Sequence, residues 1–252
     1  MSIVIIVLVA LLGSALTLIS GFGLGTLLLP VFALFFDVEI AVAMTAVVHL
    51  LNNIFKFSLL RKSINKRVIL LFGVPGILGA FLGAYVLNSL VGLENIAVGD
   101  FSISPVKAGI GFLMIFFALT ELFPKMLQLE FKNKFLIPGG FASGFFGGLS
   151  GHQGALRSMF LIKLGMAKEV YIATGVGIAL LVDFTRIPVY LTKFDFATMQ
   201  AEVPTIIAAT LAAFLGAFLG KKLIPKITLR SVHILVGVLM IVMGLAMIFN
   251  MI

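Results

Sequence analysis

The chain of 252 residues contains no cysteine and no tryptophan, and only 11% of its residues are charged. Without cysteine there is no disulfide framework, no thiolate metal site and no cysteine nucleophile. Without tryptophan, interfacial anchoring falls to Phe, of which there are 25, and to the 3 Tyr. Soluble domains carry roughly 25% charged and ~45–50% apolar residues. Here 61% are hydrophobic and the mean hydropathy is +1.23. Those values exclude a soluble globular domain, a disordered chain and a coiled coil, and leave a mostly helical integral membrane protein embedded in a lipid bilayer. The net charge of +8 would suggest nucleic acid in a soluble chain. In a membrane chain it reports which loops face the cytoplasm, and no nucleic-acid partner is expected. Three scattered His and no Cys argue against a tight transition-metal site, and no cofactor is expected. No signal peptide is expected either: Met1 and Ser2 run straight into an apolar stretch with no basic region before it and no small-residue cleavage site after it.

Apolar runs of about 20 residues, enough to span a bilayer, lie at 41–60, 69–90, 105–123, 169–191, 201–223 and 229–252. Two further apolar stretches are interrupted. The stretch 3–36 is broken by Ser20-Gly21-Phe22-Gly23-Leu24-Gly25, and 135–164 by Gly147-Gly148-Leu149-Ser150-Gly151-His152-Gln153-Gly154. Clustered glycine and polar residues weaken a helix at mid-depth, and the freed backbone groups then need protein or water partners.

The halves read as copies. Ile19-Ser20-Gly21 matches Leu149-Ser150-Gly151, and at the same offset Asn53 falls on Asp183 and Lys56 on Arg186. Phe81-Leu82-Gly83-Ala84 recurs as Phe214-Leu215-Gly216-Ala217, and Gly111-Phe112-Leu113-Met114-Ile115 as Gly237-Val238-Leu239-Met240-Ile241. If both broken stretches cross fully, Lys and Arg divide almost evenly between the two sides. If both are re-entrant hairpins, thirteen of the 18 basic residues lie inside, Lys107 and Lys193 lie outside, and Lys56, Arg157 and Arg186 remain within membrane segments. The positive-inside rule favours the second arrangement. The expected fold is therefore an all-α polytopic membrane protein. It has two inverted repeats, each a broken re-entrant helical hairpin plus three transmembrane helices. The first repeat is 1–123, a cytoplasmic connector is 124–134, and the second repeat is 135–252. Both termini are expected outside the cytoplasmic (inner) membrane. Inverted repeats with broken helices meeting near the midplane are a recurrent design of secondary transporters.

A glycine-rich break early in each half (Gly21-Phe22-Gly23-Leu24-Gly25, then Gly147-Gly148-Leu149-Ser150-Gly151), followed in the first half by Leu28-Leu29-Pro30, resembles the sulfite exporter TauE/SafE family of membrane transporters. The resemblance covers nearly the whole chain. It implies movement of sulfite, organosulfonates or related sulfur-containing anions across the cytoplasmic membrane. The second half departs from the family pattern at Gly151-His152-Gln153-Gly154-Ala155-Leu156-Arg157, with Phe160 where Pro30 stands in the first half.

Ionisable groups inside a membrane cost about 2.5–3.5 kcal/mol each on insertion scales, so each needs a reason. Arg157 is expected about one turn into the half-helix after Gly154. There the unpaired N–H groups and dipole of the helix start combine with a planar guanidinium to suit an oxoanion. The alternative is that Arg157 snorkels to the surface or holds a helix carbonyl. His152 and Gln153, within the break, either donate to the anion or satisfy freed backbone groups. Ser20 and Ser150 occupy equivalent positions and either donate to the substrate or cap the following half-helix. Gly21, Gly23, Thr26 and Gly151 flank the breaks and belong to the same candidate site. Thr45, His49, Asn52 and Lys56, spaced by 4, 3 and 4, form one helical stripe with Asn53 beside it. Asp183 and Arg186 are three apart and can pair on one helix face. The functional reading makes Asp183 or His49 a proton carrier, with Arg186 and Lys56 in coupling or gating. The bland reading is an internal salt bridge, with Lys56 and Arg186 snorkelling from span ends. The basic surplus among these groups favours an anionic substrate.

Two other functions compete. A passive anion channel could be built on the same scaffold. Gly148-Leu149-Ser150-Gly151 also reads like the nucleophile motif of rhomboid proteases, but His233 stands too far from Gly237 for their histidine motif, and a Ser-Gly pair in both halves fits duplication better than catalysis.

Overall fold

The computed structural model describes residues 2–20, 23–98, 101–123, 133–194, 196–223 and 229–251. Nearly all of this is helix. The first half holds α1 (Ser2–Ser20), α2 (Gly25–Ala33), α3 (Val38–Leu60), α4 (Lys66–Val68), α5 (Val74–Leu90) and α6 (Pro105–Leu122). A short antiparallel hairpin of β1 (Ile96–Val98) and β2 (Phe101–Ile103) precedes α6, with Ile96 opposite Ile103. The second half holds α7 (Leu136–Ser150), α8 (Gln153–Leu161), α9 (Lys168–Tyr190), α10 (Phe196–Ala201), α11 (Val203–Leu223) and α12 (Leu229–Ile248). Helix α4 runs into α5 through a π-helical turn, Ile69–Gly73, in which Val74 N–H bonds to Ile69 O. Pro75 follows. It has no N–H to return to Leu71, and its ring crowds that carbonyl, so the turn widens instead of ending.

Four helical stretches among the described residues are long and apolar enough to cross a membrane: Val38–Ser63, Lys66–Leu90, Lys168–Tyr190 and Val203–Gly220. The exterior is as apolar as the core. Leu70, Leu78, Phe112, Leu211 and Leu235 are more than half exposed, whereas Asp183 and Arg186 are at 0%. An apolar exterior around a mostly apolar interior that also holds buried polar and charged groups is what a lipid solvent selects. This is an all-α membrane protein.

The packing links the halves reciprocally. Helix α5 packs along α7, and α11 along α1; α3 packs on α9, and α6 on α12. In lipid, helices gain little from hiding apolar surface, so close backbone approach supplies the attraction. The α5–α7 seam is built for it. A Cβ placed on Gly79, Gly83, Gly140, Gly144 or Gly148 would come within 1.9–2.1 Å of a carbonyl oxygen on the facing helix. At α1–α11, Gly216 approaches Leu11 O in the same way, at 2.0 Å. Phe160, which replaces the proline of the first half, fits under Gly139 and against Phe72, whose ring centroid is 5.7 Å away.

Candidate functional site

Helix α7 ends where Gly151 adopts a left-handed conformation, φ +81°. That conformation costs glycine little and a side-chain-bearing residue much. Helix α8 begins two residues later, at Gln153. The break is thus confined to Gly151 and His152, shorter than the expected eight-residue interruption, and the half-helix starts one residue before Gly154. In the first half α1 stops at Ser20 and α2 starts at Gly25. Gly21 and the side chain of Ser20 lie outside the described residues, so the expected roles of that pair gain no geometry. The two breaks face each other: a Cβ on Gly25 would sit 3.6 Å from Gly151 O and 3.5 Å from Thr45 Cγ2.

Helices α3 and α9 meet beside the breaks and carry the charged centre. Asp183 Oδ2 accepts from His49 Nδ1 at 2.7 Å and from Asn53 Nδ2 at 3.2 Å. Asp183 Oδ1 accepts from Arg186 Nε at 3.0 Å and lies 2.8 Å from Nη2. Arg186 Nη1 reaches Gly147 O at 3.2 Å, and the Tyr190 hydroxyl donates to Gly148 O. The expected Asp183–Arg186 pairing is therefore present, extended by His49 and Asn53 from the other half. Lys56 Nζ bonds to Thr17 Oγ1 at 3.4 Å, and Ser14 Oγ donates to Asn52 Oδ1 at 3.1 Å. Lys56 is 4% exposed and Arg186 0%, which removes the snorkelling alternative for both. They are interior groups although each lies only about one turn before its helix ends, at Leu60 and at Tyr190.

The offset of 130 at which Ile19-Ser20-Gly21 matches Leu149-Ser150-Gly151 also relates these contacts. Asn53 and Asp183 stand at that offset and touch each other. Lys56 bonds to Thr17, and Arg186, its counterpart, bonds to Gly147, the counterpart of Thr17.

A polar cavity opens beside this centre, lined by Thr17, Leu24, His49, Asn53, Lys56 and Arg157, with Tyr171, Ile172, Gly175 and Val176 of α9 closing it. It holds the Lys56 amine and the Arg157 guanidinium and no carboxylate. Arg157 is 5% exposed, so it too does not snorkel. Gly175 makes room for it, since a Cβ there would be 3.3 Å from Arg157 Nε. The free room, about 20 Å³, is that of a single water. A small oxoanion fits only if the walls move apart.

The remaining residues of the expected site lie around this cavity and the breaks. Gln153 is fully buried one turn before Arg157, and neither of its side-chain polar atoms has a hydrogen-bond partner among the described residues. His152 Nδ1 lies 3.1 Å from Ser150 Oγ, its ring stacks on Phe117, and its Nε2 has no partner among the described residues. Ser150 Oγ donates back to Phe146 O; it does not cap α8. Thr26 is buried in the first turn of α2, where its N–H bonds to Gly23 O. Gly23 abuts the His49 ring: a Cβ there would be 3.3 Å from Nε2. Asn52 is held by Ser14, and Thr45 Oγ1 has no partner among the described residues.

Sequence reasoning missed Ser14, Thr17, Tyr171, Gly175 and Tyr190. The signal for Tyr190 was its place one turn after Arg186, on the same helix face. Ser14 and Thr17 are lone hydroxyls in a highly apolar helix and carry no pattern of their own.

Fold and interior together define a polytopic membrane protein with a cationic, water-sized cavity between broken helices. Residues 6–247 match the family model of the sulfite exporter TauE/SafE, and the chain belongs to that family of membrane transporters of sulfur-containing anions. It is not an enzyme family, so the rhomboid reading falls. No curated protein and no solved structure matches the chain.

Proposed function

We propose that this protein is a secondary carrier of a small sulfur-containing oxoanion, sulfite or a compact sulfonate, working by alternating access with proton coupling. The observation that carries this is the buried cavity with Lys56 and Arg157 in its wall and no carboxylate. Among the described residues three buried Lys and Arg face one buried acid, Asp183. Asp183 is committed to Arg186 and His49, which leaves the cavity cationic. Guanidinium and helix-start N–H groups both favour oxoanions. Arg157 with Gln153 on one face of α8, and Asn53 with His49 on α3, are the donors an anion would meet. The limited room supports a carrier that must rearrange over an open channel.

In this reading 1–123 and 135–252 are inverted repeats joined by a cytoplasmic connector at 124–134. The pairs α1–α2 and α7–α8 are re-entrant hairpins, and both termini lie outside the inner membrane. Reciprocal packing and the corresponding contacts of Lys56 and Arg186 support the duplication, and the Lys and Arg distribution supports the orientation. The His49–Asp183 pair bridges the two halves and is the group to carry the proton, because its protonation would weaken the link between them.

The test is flux into proteoliposomes across a panel of sulfite, sulfonates and carboxylates, with and without a pH gradient. Saturable sulfite or sulfonate flux that follows the gradient is expected. Loss of a charged hydrogen bond worth about 1.5–3 kcal/mol predicts that Arg157→Ala raises the half-saturating concentration about 10- to 150-fold. An unchanged value would remove Arg157 from the substrate site.

A further inference from the structure

The acceptors around Arg186 form a set in their own right. The last carbonyls of a helix lack intrahelical donors and carry the negative end of its dipole. At the C-terminus of α7, Gly147 O takes Arg186 Nη1 in addition to the Gly151 N–H, Gly148 O takes the Tyr190 hydroxyl, and Asp183 adds a carboxylate oxygen 2.8 Å from the guanidinium. All of this is buried, with Arg186 and Asp183 at 0% and Tyr190 at 1% exposure. Carbonyl oxygens at the end of a broken helix, together with a carboxylate, are the ligands with which broken-helix transporters hold a coupling cation near the midplane. They are the hard oxygen donors such an ion requires. Here the position is filled by a cation attached to the chain.

We propose that Arg186 is a tethered cation, occupying a monovalent-cation site formed by Gly147 O and Asp183 at the end of α7, with Gly148 O held beside it by Tyr190. Two consequences follow. The protein needs neither sodium nor potassium at this site to join α7, α9 and α3, in keeping with the proton coupling proposed above. Removing the guanidinium while keeping Asp183 uncovers a site that a free monovalent cation can fill. A guanidinium that only braced the helix would leave no such site, since a small neutral replacement would be tolerated, or not, whatever the salt.

The experiment measures thermal unfolding of the purified full-length chain in detergent, in NaCl, LiCl, KCl or choline chloride at equal ionic strength. It needs no substrate, so its outcome is separate from the flux test of the transported anion. The wild-type midpoint is expected to be the same in all four salts. Arg186→Ser is expected to unfold earlier in choline and to regain at least ~3 °C in one of the small cations, by selective binding to the folded state. Arg186→Gln, which keeps most of the side-chain volume and folds more readily, is expected to behave likewise. Asp183→Asn combined with Arg186→Gln removes the charged ligand and is expected to lose the cation response. A wild-type midpoint that rises in sodium over choline overturns the proposal. So does a lack of response to every cation in whichever single variant folds, or a response that persists in the double variant.

Discussion

The glycine seam between α5 and α7 sets a mutation whose cost can be worked from distances. An alanine at Gly144 would place its Cβ 2.0 Å from Gly76 O. Real Cβ atoms essentially never approach within 3.0 Å of another heavy atom, so the helices must part by roughly 1 Å or more at that level. Overpacking of this kind costs about 1–3 kcal/mol. The shift is also felt at the site. Gly147 lies less than one turn further along α7, and its carbonyl is 3.2 Å from Arg186 Nη1. Moving α7 by ~1 Å carries that contact beyond hydrogen-bonding range, and a bond to a charged group contributes about 1.5–3 kcal/mol. Together the two effects predict a loss of about 2.5–6 kcal/mol, or a fall of roughly 5–24 °C in the thermal midpoint for a chain of this size. Gly109→Ala is the control. The nearest atom its Cβ would meet is Leu90 Cδ1 at 3.9 Å, so its midpoint should stay within ~2 °C of wild type or rise slightly from improved helix propensity. Thermal unfolding in detergent, followed by circular dichroism, reads both. Equal midpoints for Gly144→Ala and wild type would refute the idea that backbone contact along this seam holds α7.

Two further outcomes are expected at the site. Asp183→Asn leaves the buried Arg186 uncompensated and should destabilise the protein by about 3–5 kcal/mol, the cost of breaking a buried pair from one side; in proteoliposomes made with the surviving folded protein, anion flux should no longer respond to an imposed pH gradient, and a full response would remove Asp183 from coupling. Gly175→Val puts branched bulk 3.3 Å from Arg157 Nε and into the cavity wall, so it should raise the half-saturating anion concentration at least ~10-fold, equivalent to about 1.4 kcal/mol of lost binding, while the thermal midpoint stays within a few degrees; unchanged flux would show that the anion passes elsewhere.

Much of this was legible in the sequence because lipid is an unforgiving solvent. Apolar runs of the right length read as helices, since nothing else satisfies a backbone there. Polar residues inside those runs stood out because each needs a partner, and His49, Asn53, Asp183 and Arg186 did assemble into one cluster. Burial was harder to read. Lys56 and Arg186 were equally compatible with snorkelling, because one-dimensional distance from a helix end says nothing about whether a neighbouring helix blocks the way to water.

Composition and pattern alone determined that this chain is a helical membrane protein with a basic interior remainder. Those properties depend on each residue's own cost of transfer into lipid, and that cost is local. Tertiary structure decided where each cation sits. Asp183 is three residues from Arg186 and 134 residues from His49, yet it bonds to both. Arg157 and Lys56, from different halves, share a cavity wall that contains no acid. Pairing depends on where helices cross, and the crossings are set by glycine contacts such as Gly144 on Gly76, between residues far apart in the chain. The choice of Arg186 for the helix end and Arg157 for the cavity is therefore made by packing.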